Sequence, residues 1–494
     1  VRSRAGSIAI FFAFFLAILL LIHLPFLRLP FFWDELGQFV PAALDIYRLG
    51  AWIPVTTLPN VHPPAVMAYL ALVWKIFGFS IPATRLAMLL IAAAGVLLAF
   101  LLSIRLSRKT AGAPAFAAAM FLIATPMFYT QSMMAQLDMP AMVFTTLALL
   151  LFLDGRILAC AIACTVLVLV KETALSTPFV FAAWLWLRER RIRQALYFLA
   201  PAAALAVWLL ALRHATGQWL GNDEFARYNV SDSLQPAHIF ATLARRIYFL
   251  FIADGLWIGA ITLFVGARVL RGREWNIAFL VGGAQILLVS VFGGAQLDRY
   301  TVPVFPILYA AIAAAGSVYP ASWRWTTQAA MTLALAIGLF WSPPYPFSLE
   351  NTLAMTDMVA LQQQAASYLE QYAPGQRIAT PWPFSDALIK PELGYVHHRL
   401  NVERMEDVRP VNLARLDPGK VDALVVFCRT WALECGGLES DTARRFIESG
   451  WGNQKQATPD QIRARLGFVP IVKWTRRGQW IEIYVPGRES ALAR

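Results

Sequence analysis

Six short groups of ionisable and polar residues interrupt an otherwise apolar chain: Trp33-Asp34-Glu35, His62-Pro63-Pro64, Arg85, Gln136-Leu137-Asp138-Met139-Pro140, Lys171-Glu172 and Asp298-Arg299-Tyr300. A carboxylate can take a proton from a weak nucleophile, and guanidinium and ammonium groups bind phosphate-like anions. Three of the groups have an evident plainer role open to them. Asp138 ahead of Pro140 fits a helix cap, Lys171 with Glu172 fits a self-neutralising pair at a turn, and Arg299 with Tyr300 fits interface anchors. Asp34 and Glu35 cap no periodic segment and are the hardest to explain as structure.

The elements that must position these groups follow from composition. Of 494 residues 58% are hydrophobic and 15% charged, with mean hydropathy +0.56, against about 45–50% apolar and about 25% charged in soluble domains. A wholly soluble enzyme is excluded, as are a disordered chain and a small disulfide scaffold, since there are only four cysteines. A polytopic membrane protein remains. The net charge of +12 is used first for orientation, because basic residues flanking spans stay cytoplasmic. The Arg residues are dispersed and form no stripe for nucleic acid. Val1-Arg2-Ser3-Arg4 followed by the apolar run 8–24 has no small-residue cleavage site after it and reads as an uncleaved first span.

Further apolar runs lie near 64–79, 83–105, 113–130, 139–153, 157–170, 174–187, 195–212, 246–269, 275–292, 300–317 and 325–341. Taking all as spans places two basic loops outside, against the positive-inside rule. The run 64–79 is the weakest candidate, since its 16 residues reach about 24 Å against a hydrocarbon core of about 30 Å, it starts at a Pro pair and it carries Lys75; it is expected as an interfacial helix within a first outer loop at about 25–82. That leaves about eleven spans, with 157–187 folded as two short helices meeting at Lys171-Glu172-Thr173. All six groups then fall on the outer face, and at membrane depth ionisable groups cost several kcal/mol without a reason to be there.

The expected fold is therefore an all-α polytopic membrane domain over 1–345 followed by a small α/β domain outside the membrane over 350–494. In the latter, Met355 to Tyr372 and Ser440 to Ser449 have helical patterns. Arg377 to Thr380 and Asp422 to Phe427 read as buried strands, and Phe468 to Lys473 with Trp480 to Val485 as a hairpin. Cys160 and Cys164 are read as small packing residues. Cys428 and Cys435 fall in the outer domain, where a disulfide is stable.

The order and spacing of the six groups resemble the type-C glycosyltransferases, nearest to the dolichyl-phosphate-mannose protein mannosyltransferase and aminoarabinose lipid A transferase-like group, over residues 8–320. The resemblance implies transfer of one sugar from a polyprenyl-phosphate donor to an acceptor hydroxyl on the outer face. It implies Asp34 as catalytic carboxylate and Asp138 as a second acid of the site, with Glu35 beside them. Arg85, Lys171, Arg299, His62 and Tyr300 are the candidates around the donor phosphate, whose developing charge needs cationic or N–H donors. One base and one leaving phosphate suggest inversion at the anomeric carbon. The aminoarabinose branch tends to carry Glu-Lys-Pro-Pro where this chain has Val61-His62-Pro63-Pro64, which weakens a claim for that sugar and for a metal there. The resemblance names no definite cofactor and leaves a divalent cation open.

The expected partners are a lipid-linked sugar donor, membrane lipids and an acceptor that is an envelope glycan, a lipid or a protein, with no nucleic acid. The expected location is a bacterial inner membrane, with the N-terminus cytoplasmic and the C-terminal domain periplasmic. A transporter or flippase for a lipid-linked or anionic substrate is the competing reading; it predicts an internal repeat and charges along a two-sided path.

Overall fold

In lipid, long runs of Ala, Leu, Ile and Phe must satisfy their backbone groups within the segment, and a helix does this without a partner strand. A computed structural model describes residues 2–110, 112–223, 234–292, 297–341, 350–428 and 456–487. They divide into two units, Val1–Leu27 with Ala42–Phe340, and Arg28–Pro41 with Trp341–Arg494.

The first unit is helical. It contains α1 (Arg2–His23), α2 (Val40–Leu49, from Ala42 onward), α3 (Ala65–Phe77), α4 (Ile81–Leu106), α5 (Ala115–Ala124), α6 (Pro126–Met133), α7 (Asp138–Leu153), α8 (Ile157–Val170) and α9 (Ser176–Ala183). After these come α10 (Ile192–Thr216), α11 (Pro236–Phe251), α12 (Leu256–Gly266), α13 (Arg273–Phe292), α14 (Phe305–Ala315) and α15 (Ala321–Gly338). Five helices among the described residues are long and apolar enough to cross a membrane, or up to seven if two bent pairs count as single spans. The chain is a multi-pass membrane protein. The expected eleven spans do not appear as eleven long helices, because several apolar runs break. The run 113–130 divides at Thr125-Pro126, where proline removes a backbone donor. The run 246–269 breaks at Ala253–Gly255, with Asp254 at φ 52° and Gly255 at φ 82°.

Side chains such as Phe264 and Phe240 are 86% and 73% exposed on these helices, as expected of a surface that lipid covers. Inside the unit, α7 lies against α4 and α8, and α14 against α4 and α5. Gly266 lets α12 approach α14 closely, since a Cβ there would meet the Ala315 backbone. Lys171 breaks the helical stretch 157–183 as expected, leaving α8 and α9 joined by a short 3-10 turn at Glu172–Leu175.

In the second unit a five-stranded sheet runs in the order β2-β1-β3-β5-β4, with β1 (Arg377–Pro381), β2 (Asn401–Met405), β3 (Ala423–Phe427), β4 (Phe468–Arg476) and β5 (Gln479–Pro486). β1 pairs in parallel with β2 and β3, while β5 is antiparallel to β3 and to β4. β3 is Ala-Leu-Val-Val-Phe and buried at every position, as a central strand with both faces covered should be. Helix α16 (Ala354–Tyr372) covers the β4–β5 hairpin, with Tyr368 edge-on to Trp474. The described residues add β2 and the helices α17 (Phe384–Ile389), α18 (Pro410–Arg415) and α19 (Pro459–Leu466) to the expected elements. The expected helix Ser440 to Ser449 and Cys435 lie outside the described residues; Cys428 is fully buried just after β3.

Candidate functional site

Asp138 opens α7 directly after a buried bend, where α6 and α7 meet at 107°. Its carboxylate is 2% exposed. Lys171 Nζ, at the C-cap of α8, donates to Oδ1 at 2.5 Å, and Arg299 Nε donates to Oδ2 at 3.1 Å. Arg299 stands in a 3-10 turn, Asp298–Val304, that precedes α14. Three separate elements thus bring one acid and two cations together. Taking such ions out of water costs several kcal/mol each unless they are paired and hydrogen-bonded, which is why they are found in contact.

Tyr300 joins them through its ring. Lys171 Nζ lies 3.9 Å from the ring centroid, and the guanidinium carbons of Arg246 and Arg299 lie at 5.6 and 5.8 Å, within cation–π range. Beside Arg299, Asp298 receives Arg245 through a fork of two bonds at 2.7 and 2.5 Å. Arg246 is held by the carbonyls of Val289 and Leu297 at 2.8 and 3.2 Å. Among these charged side chains, cations outnumber carboxylates four to two. Arg245 and Arg246 were not among the expected site residues. The signal for them is a polar stripe, His238, Thr242, Arg245 and Arg246, at helical spacing on the apolar helix α11, and all four are buried.

His62 Nδ1 and Glu172 Oε2 are 2.9 Å apart, with side chains 12% and 16% exposed. Glu172 lies in the turn between α8 and α9. Burial pushes its carboxyl up, but the charge and hydrogen bond of His62, with Lys171 adjacent, outweigh this and hold it below the ordinary carboxylate value. Arg85 is 1% exposed near the start of α4 and donates Nη1 to the Met133 carbonyl at 2.9 Å, fixing the end of α6 at the bend.

These residues share one end of the helical unit. At the other end of α4, Arg105 bonds Asp154 and Glu274 at 2.9 and 2.7 Å, tying α4 to the α7–α8 turn and α13. The twenty residue steps from Arg85 to Arg105 in one continuous helix span about 30 Å, the thickness of a hydrocarbon core. Arg273 and Glu189 pair at 2.6 Å beside that second end.

Asp34 and Glu35 belong to the second unit, so the structure brings His62, Arg85, Asp138, Lys171, Arg299 and Tyr300 into one unit and these two acids into the other. Asp34 is half-buried and precedes a π-helical turn, Glu35–Phe39. Trp33 before it has φ 52° and is 1% exposed; a left-handed conformation at a bulky residue costs about 1–3 kcal/mol and re-aims the chain at Asp34. Glu35 is fully buried, and its Oε1 accepts the Phe32 backbone N–H at 2.8 Å, closing its own turn. Tyr395 donates to the Phe31 carbonyl at 2.8 Å, and Trp382 lies edge-on to Trp33 at 5.9 Å. Among the described residues no group of three or more His, Cys, Asp or Glu side chains gathers to hold a metal ion.

No protein-family model and no curated protein matches the sequence. Solved structures do match the fold. ArnT from Cupriavidus metallidurans in its apo state is 15% identical with TM-score 0.55, covering 97% of this chain and 98% of that one. The same protein bound to undecaprenyl phosphate is 15% identical with TM-score 0.54, covering 95% and 97%. The fold is that of the type-C glycosyltransferases. The match runs across both units, so the small sheet-containing unit is part of the shared architecture.

Proposed function

We propose that the chain is a membrane glycosyltransferase that moves a single sugar from a polyprenyl-phosphate donor to an acceptor hydroxyl on the periplasmic face of a bacterial inner membrane. The observation that carries this reading is the buried surplus of cations around Asp138 and Tyr300, at one end of a fold shared with a protein crystallised with undecaprenyl phosphate. Among the described residues in contact around Asp138 and Tyr300, Lys171, Arg245, Arg246 and Arg299 outnumber the carboxylates of Asp138 and Asp298, a balance that favours an anionic ligand.

Asp34 is proposed as the general base by its place in the resembling motif. It takes the acceptor hydroxyl proton as the oxygen attacks the anomeric carbon from the face opposite the phosphate. The bond from that carbon to the phosphate oxygen breaks, its electron pair stays on the phosphate, and the product is inverted. Lys171 and Arg299 meet the charge that grows on the leaving phosphate. Asp138 holds those two cations at a fixed spacing, so no reorganisation is needed when the charge appears. His62 sets the position of the Lys171–Glu172 turn, and Arg85 that of the α6–α7 bend. The acceptor is an envelope glycan, a lipid or a protein hydroxyl.

The test compares membranes carrying the native chain with membranes carrying Asp34→Asn, each supplied with sugar-labelled polyprenyl phosphates. Label is expected in an envelope fraction with the native chain and at least about a hundredfold less with Asp34→Asn. Equal transfer by both rejects Asp34 as base, and absence of transfer by the native chain rejects the reaction class.

A further inference from the structure

Gln136 stands in the bend between α6 and α7, fully buried, and neither Oε1 nor Nε2 of its amide meets a hydrogen-bond partner among the described residues. Gln131, in the last turn of α6, repeats the pattern. It is fully buried, its Oε1 is unpaired, and its Nε2 reaches only the Met134 sulfur at 3.5 Å. Around them the bend is Met133, Met134, Ala135, Leu137 and Met139, every one buried. An amide left without partners in such surroundings destabilises the fold, and native interiors hold few of them. A methionine of similar volume would fill the same space without that cost.

The place of Gln136 in the chain narrows what it could bind. It is two residues from Asp138, so their Cα atoms are at most about 7 Å apart. Asp138 holds Lys171 and Arg299, the cations suited to a phosphate. Gln136 carries no charge and offers two N–H donors and one carbonyl acceptor. That set suits neighbouring hydroxyl groups, each of which both gives and takes a hydrogen bond. A sugar joined directly to the phosphate lies within one ring's width of it.

We propose that Gln136 hydrogen-bonds hydroxyl groups of the sugar carried on the polyprenyl phosphate and so selects which sugar is transferred, with Gln131 completing the same polar pair. The proposal rests on the lipid-phosphate donor reading above. Gln136 is a specificity residue in this account: it touches the sugar, and takes no part in proton transfer.

The full chain in proteoliposomes, with an envelope fraction as acceptor, is given undecaprenyl phosphate carrying glucose, mannose, galactose or arabinose, and then the 2-deoxy and 3-deoxy forms of the best substrate. Native protein is expected to discriminate against one deoxy form by about tenfold or more in kcat/KM. Gln136→Met is expected to transfer the parent sugar about tenfold more slowly, to treat parent and deoxy sugar alike, and to melt no lower than the native chain. Gln136→Glu, which keeps the shape and the one acceptor oxygen but replaces the N–H donors by a second acceptor, is the second variant and is expected to change the order of preference among the sugars; an unchanged order also overturns the proposal. Unchanged discrimination in Gln136→Met, or an equal loss for every sugar, overturns the proposal and leaves the donor reading standing. Failure of the native chain to use any of these donors overturns both.

Discussion

Replacing Asp138 by Asn removes one charge at nearly constant volume from a carboxylate that is 2% exposed. Its partners, Lys171 Nζ at 2.5 Å and Arg299 Nε at 3.1 Å, are themselves 5% and 4% exposed at the side chain, so neither can turn to water. Removing one member of a buried ion pair costs about 3–5 kcal/mol because the remaining charge is uncompensated. The amide oxygen of Asn still accepts one bond, which sets the expectation for Asp138→Asn near the lower figure. In a helical unit of this size that is a fall in Tm of about 4–8 °C. The assay is thermal unfolding of the full chain in detergent, followed by the fluorescence of its 17 tryptophans. Lys171→Met added to Asp138→Asn removes one stranded cation, so the double variant is expected to melt higher than Asp138→Asn alone. Strictly additive losses, or an Asp138→Asn protein that melts with the native chain, would refute the idea that this triad is a mutually compensated unit.

Arg245→Met leaves Asp298, 1% exposed at the side chain, without its forked partner and is expected to cost about 3–5 kcal/mol; Arg245→Met with Asp298→Leu should recover most of it in the same melting assay. Gly37→Ala should destabilise the second unit by about 1–3 kcal/mol, since the added Cβ runs into the Trp382 indole, and limited proteolysis of the full chain should release that unit sooner. Glu370 accepts the backbone N–H groups of His397 and His398 at 2.6 and 2.9 Å and the His397 ring at 3.1 Å. Burial pushes its carboxyl up, but these bonds hold it below the ordinary value. A carboxyl lowered in the folded state adds stability above its unfolded value of about 4.3 and loses it as pH falls through the folded value. Melting curves between pH 3 and about 6 should therefore show a steeper acid limb for the native chain than for Glu370→Gln.

Apolar runs and the sign of the loops between them made the membrane-spanning class legible from the sequence. The break at Lys171 was legible too, because one helix through 157–187 would be about 46 Å long. Strands β1, β3, β4 and β5 were readable from short β-branched and aromatic runs between turn residues. β2 was not, since Asn401-Val-Glu-Arg-Met405 is mostly exposed at a sheet edge and has no apolar alternation. Within the site, the meeting of Asp138, Lys171, Arg299 and Tyr300 follows from their shared depth at helix ends. Arg245 and Arg246 are not legible as site residues because basic residues in a chain of this class signal loops and orientation, whereas these two are buried on a helix face against Asp298, Val289 and Leu297. In sequence Glu35 caps no periodic segment, and its backbone partner, Phe32, is local and has no side-chain signature.

The most direct measurement of the central claim uses purified chain in proteoliposomes with undecaprenyl-phosphate sugars as sole donors, following the released undecaprenyl phosphate together with the anomeric configuration of the glycosylated acceptor. The account predicts equal amounts of lipid phosphate and inverted product from the native chain, and release at least about a hundredfold slower from Asp34→Asn. Transfer only from a nucleotide sugar, or a product that keeps the donor's configuration, would contradict it.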